Sequence, residues 1–275
     1  MKSLANRRVL GFLLTAAVTA VLLLTHGVYS VSLAHSNFRS GWILVGLMLF
    51  LAAFNLRKRV PFLPGLLSAS TWLQLHIYIG VITIVVFLCH IDMRIPNGKL
   101  ECSLALVFVA IVLSGILGLA ISRSFARRLT ARGPEFLYER IPVIRRQLQD
   151  DAEEHALRTV TDSASTTVAD FYHHELKRFF DRPRFFVSHL FESQRPLHAL
   201  YTKMDAVDRH LDVVERDAMI RLRELIKAKF DLDYAYTLQS LLKWWLFIHI
   251  PLSFVIFVLV FLHIIAAYAF YGGVR

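Results

Sequence analysis

Apolar and polar positions are grouped in long blocks along this chain. Five runs are almost wholly apolar: residues 9–30, 42–56, 72–91, 102–121 and 244–270. About 20 apolar residues in a helix cross the hydrocarbon core of a bilayer. Inside that core a segment must satisfy its own backbone groups, which a helix does. The pattern predicts an all-α integral membrane bundle of about five spans, the second being the shortest.

Polar positions gather in an insert over residues 123–242, between the fourth and fifth runs. It holds twenty Lys/Arg and nineteen Asp/Glu. That near balance reads as a solvated, folded segment and not as a nucleic-acid surface, although the whole chain carries a formal charge of +10. Gly133-Pro134, Pro142, Pro183 and Pro196 punctuate it. Helices are expected over 143–160, 167–180 and 197–230. In the last, Leu197, Leu200, Met204, Val207, Leu211, Val214 and Ala218 follow spacings of three and four, the seam of a coiled coil. Such a seam either packs on the insert's other helices or docks a partner subunit or a second copy of the chain. The expected organisation is four spans in 1–122, a helical soluble insert in 123–242, and a fifth span in 243–275 that completes the bundle.

Composition fits this class: 56% of residues are hydrophobic and the mean hydropathy is +0.50, too apolar for an ordinary soluble domain. Position of charge sets the orientation. Lys2, Arg7 and Arg8 precede the first run, Arg57, Lys58 and Arg59 follow the second, and Arg123, Arg127, Arg128 and Arg132 follow the fourth. Lys243 opens the fifth, whereas the opposite loops hold Arg39, Arg94, Lys99 and Arg275. Positive-inside bias then places the N-terminus and the insert in the cytoplasm and the C-terminus outside a plasma or inner membrane. The basic start and long first run read as an uncleaved span rather than a signal peptide.

Four histidines carry the candidate chemistry. His76 and His90 lie fourteen residues apart in the third run, and His249 and His263 fourteen apart in the fifth. At about 100° per residue, that spacing returns to within roughly 40° of one helix face after a rise of about 21 Å. An ionisable residue inside a span is costly and marks function. Spans three and five run parallel, so His76 is expected opposite His249 near the cytoplasmic face and His90 opposite His263 near the outer face. Two facing imidazoles are an axial ligand set for haem iron, so the two pairs predict two haem b groups. The cysteines, Cys89 and Cys102, form no C-x-x-C-H motif, which excludes covalent c-type attachment. Gly80, one turn after His76, and Gly115 and Gly118 on the fourth span are small enough to admit a porphyrin edge. Candidate propionate partners are Arg57, Arg123 and Lys243 inside, and Arg39, Arg94 and Lys99 outside. His26 and His35 are weaker candidates for a quinone or proton path, and His155, His173 and His174 read as structural residues of the insert.

The stretch L-H-I-Y-I-G-V-I-T-I-V-V-F-L-C-H, residues 75–90, resembles the first ligand helix of di-haem membrane cytochromes b, and H-I-P-L-S-F-V-I-F-V-L-V-F-L-H, residues 249–263, resembles the second. With ligands on the third and fifth spans, the arrangement is similar to the ferric reductase/NADPH oxidase transmembrane domain. This resemblance covers roughly 9–122 and 243–271, not the insert. It implies electron transfer across the membrane between two b haems, often coupled to quinone, which makes quinone a further candidate cofactor. The chain departs from ferric reductases in lacking a C-terminal flavin and nicotinamide domain. It also shows no G-x-G-x-x-G, P-loop or H-E-x-x-H. The expected role is therefore the cytochrome b subunit of a membrane redox complex, exchanging electrons with a flavin, iron–sulfur or multihaem partner. Two alternatives stay open: a self-contained quinol- or metal-reducing oxidoreductase, and a non-redox helical anchor or scaffold.

Overall fold

A computed structural model describes residues 2–32, 36–56, 68–132, 136–163, 165–209 and 211–271. The apolar runs fold as helices α1 (Lys2–Ser32), α2 (Ser36–Leu56), α3 (Ala69–His90) and α4 (Lys99–Ala131). The insert adds α5 (Ile141–Asp162), α6 (Thr167–Phe171), a π-helical turn (Tyr172–Leu176), α7 (Lys177–Asp181), α8 (Phe186–Leu190) and α9 (Arg195–Asp208). The last helix, α10, runs from Val213 to Tyr271 without interruption. Among the described residues there is no strand. Three helical stretches are long and apolar enough to cross a membrane: Ser70–His90, Lys99–Ala131 and Val213–Phe270. Shorter apolar stretches, Gly11–Thr25 and Phe38–Phe54, lie on α1 and α2.

Local chemistry sets the ends of α3. The Ser68 hydroxyl accepts the Thr71 N–H at 3.3 Å, capping the start. After His90, Asp92 and Met93 take φ of 49° and 55°, a left-handed conformation that cannot propagate a right-handed helix.

The chain divides into two units, Met1–Ile116 with Ile248–Arg275, and Leu117–Phe247. In the first unit, α3 packs against α1 and α2. Its core joins Leu44 and Met48 of α2, Val86 of α3, Phe108 of α4 and Ile256 of α10. Large apolar side chains also point outward: Phe12, Leu24, Leu106, Phe254 and Phe261 are each more than 60% exposed. Apolar surface on this scale is matched to lipid rather than to water.

The second unit has its own core, in which Phe171, Leu176, Phe179 and Phe180 meet Leu222, Ile226 and Phe230. Leu197, Leu200, Met204, Leu211 and Ala218 are buried in the same core, and Val207 packs against it. Most of the seam is thus occupied within the insert, while Val214 remains 44% exposed. The single helix expected over 197–230 is two helices, because α9 stops at Asp208 and α10 starts at Val213. A capping box makes that start: the Glu215 N–H donates to Asp212 Oδ1 at 2.7 Å, and the Asp212 N–H donates to Glu215 Oε2 at 3.2 Å. Nor does a helix begin at the fifth apolar run, since α10 enters it already formed.

Two polar groups lie deep in this unit. Lys229 and Asp233, one turn apart on α10 and fully buried, form an ion pair. Lys229 Nζ also donates to the Arg182 carbonyl at 2.8 Å, and Asp233 Oδ2 accepts the Arg184 N–H at 3.0 Å. Removing one partner strands the other charge. Lys229→Met should therefore cost about 3 kcal/mol or more, and adding Asp233→Leu should restore most of it. Hydrogen exchange over residues 222–238 measures both; equal loss in the single and double variants would contradict a stranded charge.

His189 is 1% exposed, its ring 4.4 Å from that of Phe230. Burial first, then the charges of Arg132 and Lys229, pull its pKa from 6.5 down to about 4, against a partly offsetting Arg184 backbone contact. The unfolded chain therefore binds this proton first as pH falls. Stability that is complete above pH 6.5 is lost progressively toward pH 4. His189→Met should flatten that part of the profile in chemical denaturation of the detergent-solubilised protein; an unchanged slope would rule out His189 as its source.

Candidate functional site

In the first unit α3 carries His76 near its start and His90 as its last residue, while α10 carries His249 and His263. The fold brings His90 and His263 together. Their ring centroids are 6.3 Å apart with planes at 86°. Both rings line one cavity of about 520 Å³, within the usual range for bound small molecules and cofactors. Its walls include Met48 of α2, Phe108 of α4 and Ile256 of α10. Asp92, Arg94 and Asn97 of the loop after α3, with Glu101 of α4, complete the lining. Nineteen of the chain's 21 carboxylates lie in 123–242, so Asp92 and Glu101 are the two outside the insert. Both are at this cavity.

Each pair includes a histidine oriented by a Ser-Gly dipeptide from a neighbouring helix. Ser40, 6% exposed, shares a hydrogen bond of 3.1 Å with His90 Nδ1. Gly41 follows it, and a Cβ there would stand 3.1 Å from His90 Cε1. On α4, Ser114 shares a 3.1 Å hydrogen bond with His249 Nδ1, and a Cβ on Gly115 would stand 3.8 Å from His249 Cε1. Pro251 removes a backbone donor from α10, and the nearby Ser253 hydroxyl donates to the His249 carbonyl at 3.0 Å.

His76 of α3 belongs to the same unit as His249 of α10. Its ring is 5.2 Å from that of Phe54, and its Nδ1 is buried with no hydrogen-bond partner among the described residues. One turn earlier Trp72 is 8% exposed and stacks on Phe50 at 5.9 Å. Its Nε1 is also buried and without a partner among the described residues. Two polar edges thus share one face of α3 at the inner pair. Gly80 is open: nothing lies within 4 Å of a Cβ built on it.

The other candidates separate. Gly118 does not border open space, because the Trp245 indole packs directly onto it. Lys243 pairs with Glu139 at 3.1 Å and lies 3.5 Å over the Tyr138 ring. Arg123, Arg39 and Lys99 are exposed, and of the outer cations Arg94 lines the cavity. Arg57, Lys58, Arg59 and His35 lie outside the described residues, as does the side chain of His26. His173 and His174 are exposed on the insert, and His174 Nδ1 bonds the Asp170 carbonyl at 2.8 Å. Among the described residues no group of three or more His, Cys, Asp or Glu side chains is placed to hold a metal ion. Sequence reasoning named Gly115 as a small packing residue but not the serine contacts to the rings, and missed Ser40 and Gly41. A Ser-Gly step at the edge of one apolar run and inside another was the available signal.

Compared with known proteins, the chain matches no family model, no curated protein sequence and no solved structure.

Proposed function

We propose that this chain is a di-haem b-type membrane cytochrome and serves as an electron-transfer subunit. One haem is held by His90 and His263, the other by His76 and His249. The observation that carries the reading is the outer pair. His90 and His263 stand at 6.3 Å beside a cofactor-sized cavity. The inner pair supports it by chemistry: a buried His76 nitrogen and a buried Trp72 N–H await partners, and Gly80 leaves space.

Haem held by these histidines would supply one-electron iron chemistry, and histidine at both of its ligand positions would favour electron transfer over O₂ binding. The chain's residues do the positioning. With Nδ1 of His90 held by Ser40 and that of His249 by Ser114, Nε2 is the nitrogen left for a metal, and the hydroxyl fixes the ring angle. Leu44, Met48, Phe108 and Ile256 keep water from the outer rings. In this reading all five apolar helices cross the bilayer, and the Lys/Arg bias puts the N-terminus and insert in the cytoplasm. Electrons are exchanged with a partner of the flavin, iron–sulfur or multihaem class. A second reading, direct quinol oxidation, draws on one observation: Asp92 and Glu101 stand at the outer cavity, where a quinol proton needs an acceptor.

Pyridine haemochrome analysis should find about two haems per chain, all extracted by acidified acetone as non-covalent b haem. His90→Ala and His263→Ala should each remove one and the same haem, and His76→Ala and His249→Ala the other, in potentiometric titration. A folded protein without haem ends the proposal, and sorting as His76 with His263 ends the pairing.

Trp72 gives a finer test. Its buried N–H would be available to an anionic propionate of an inner haem, drawing negative charge away from the iron. Trp72→Phe keeps the ring on Phe50 and removes the donor. The inner haem should become harder to reduce, with the outer potential and haem content unchanged. An unmoved inner potential would show that the N–H serves something else.

A further inference from the structure

We propose that α8 and its flanking residues form a membrane foot. The side chains of Phe186, Val187 and Phe191 rest in the headgroup layer of the leaflet nearest the insert, with anionic lipid around them. The argument stays within the second unit. These three side chains are 43%, 66% and 76% exposed. Among the described residues of 123–242, Phe186 and Phe191 are the exposed aromatics. The other side of α8 is anchored inward: His189 is buried, and Leu190 packs against the cluster of Phe125, Tyr234 and Leu238, on which Ile121, Leu241 and Leu242 also pack. Arg128 of α4 clamps the backbone, donating from Nη2 to the His189 and Leu190 carbonyls at 2.9 Å each and pairing with Glu192 at 2.6 Å.

That anchorage fixes the level of the foot. Ile121 belongs to the apolar run of α4, and Leu241 and Leu242 immediately precede the apolar run of α10. The short helix is therefore held where both long helices pass from polar to apolar sequence. Aromatic side chains favour this level of a bilayer, and an apolar face there sinks about 5–10 Å into the headgroup and acyl boundary. The flanking charge selects lipid over another protein's apolar face. Arg182, Arg184 and Arg195 are exposed around the patch, with Arg123 and Arg127 on α4. Basic side chains at a membrane surface attract anionic headgroups, each by about 1 kcal/mol.

The inference rests on α4 and α10 crossing a bilayer, and the experiment tests the two separately. The full chain, with Cys89→Ala and Cys102→Ala, is labelled at Val187→Cys with an environment-sensitive fluorophore. It is placed in phosphatidylcholine bilayers containing phosphatidylglycerol and lipids that carry a quencher just below the headgroup. A label at Leu157→Cys, exposed on α5 and sixteen residues beyond its start, sits about 24 Å along that helix. Phe261→Cys, exposed on the apolar part of α10, reports the span itself. The expected result is at least about twofold quenching at Val187 and at Phe261 with none at Leu157, the Val187 quenching weakening without phosphatidylglycerol. Quenching at Phe261 but not at Val187 overturns the foot and leaves the membrane reading standing. No quenching at Phe261 overturns both. A Val187 label shielded from lipid quencher and from aqueous iodide alike means that protein covers the patch, which also overturns the foot.

Discussion

An imidazole among apolar side chains must find partners for two nitrogens, since water is not there to supply them. That requirement organises the first unit. It explains why a serine sits opposite His90 on α2 and another opposite His249 on α4, each at 3.1 Å from Nδ1. It also explains the glycine after Ser40, because a Cβ there would press on the His90 ring at 3.1 Å, whereas a Cβ at Gly115 would meet His249 at ordinary contact distance, 3.8 Å. Helices α2 and α4 carry no ligand candidates of their own. They take part by holding the side chains that α3 and α10 present. The positions of α2 and α4 are therefore as closely tied to the site as those of the histidine helices.

The second unit meets the same constraint with charge rather than with small hydroxyls. Arg128 engages three of its five N–H donors: Nε faces Tyr234 Oη at 3.0 Å and Glu192, and Nη2 reaches two carbonyls. The Tyr234 hydroxyl donates to Glu192 at 2.9 Å. Lys229 and Asp233 are paired and further bonded to backbone groups of the segment before α8. A segment as short as α8 has little helix stability of its own. Its shape is imposed by these side chains, and this leaves its apolar face outward without loss of order.

What was legible in the sequence follows from the range of each signal. Apolar blocks and the fourteen-residue histidine spacing are local and periodic, and the helices stand where those patterns lie. Ser40 lies fifty residues from His90, and Ser114 lies 135 from His249, so no window of sequence joins them. The seam over 197–218 misled for a different reason. Leu211 is buried although it lies in the turn between α9 and α10; Leu211 and Ala218 both face inward while Val214 between them is exposed, so the spacing in sequence hides the break. The D-V-V-E capping box at 212–215 was the mark of the break. Gly118 illustrates a limit of reading small residues as room for a cofactor. Small residues admit whatever lies nearest, and there it is an indole.

The two histidine pairs share a serine device but differ in their surroundings. A carboxylate in hydrocarbon is costly, and the apolar runs contain none. The two carboxylates outside the insert, Asp92 and Glu101, lie where the loop after α3 meets the start of α4, at the cavity of His90 and His263. No such group is interspersed along α3 near His76, whose neighbours are the Phe54 ring and, one turn away, Trp72. In the di-haem reading, proton uptake or release linked to electron transfer in the first unit therefore belongs to the outer ring pair. The inner pair is left to conduct electrons, with its buried donors answering charge on a bound group rather than exchanging protons with it.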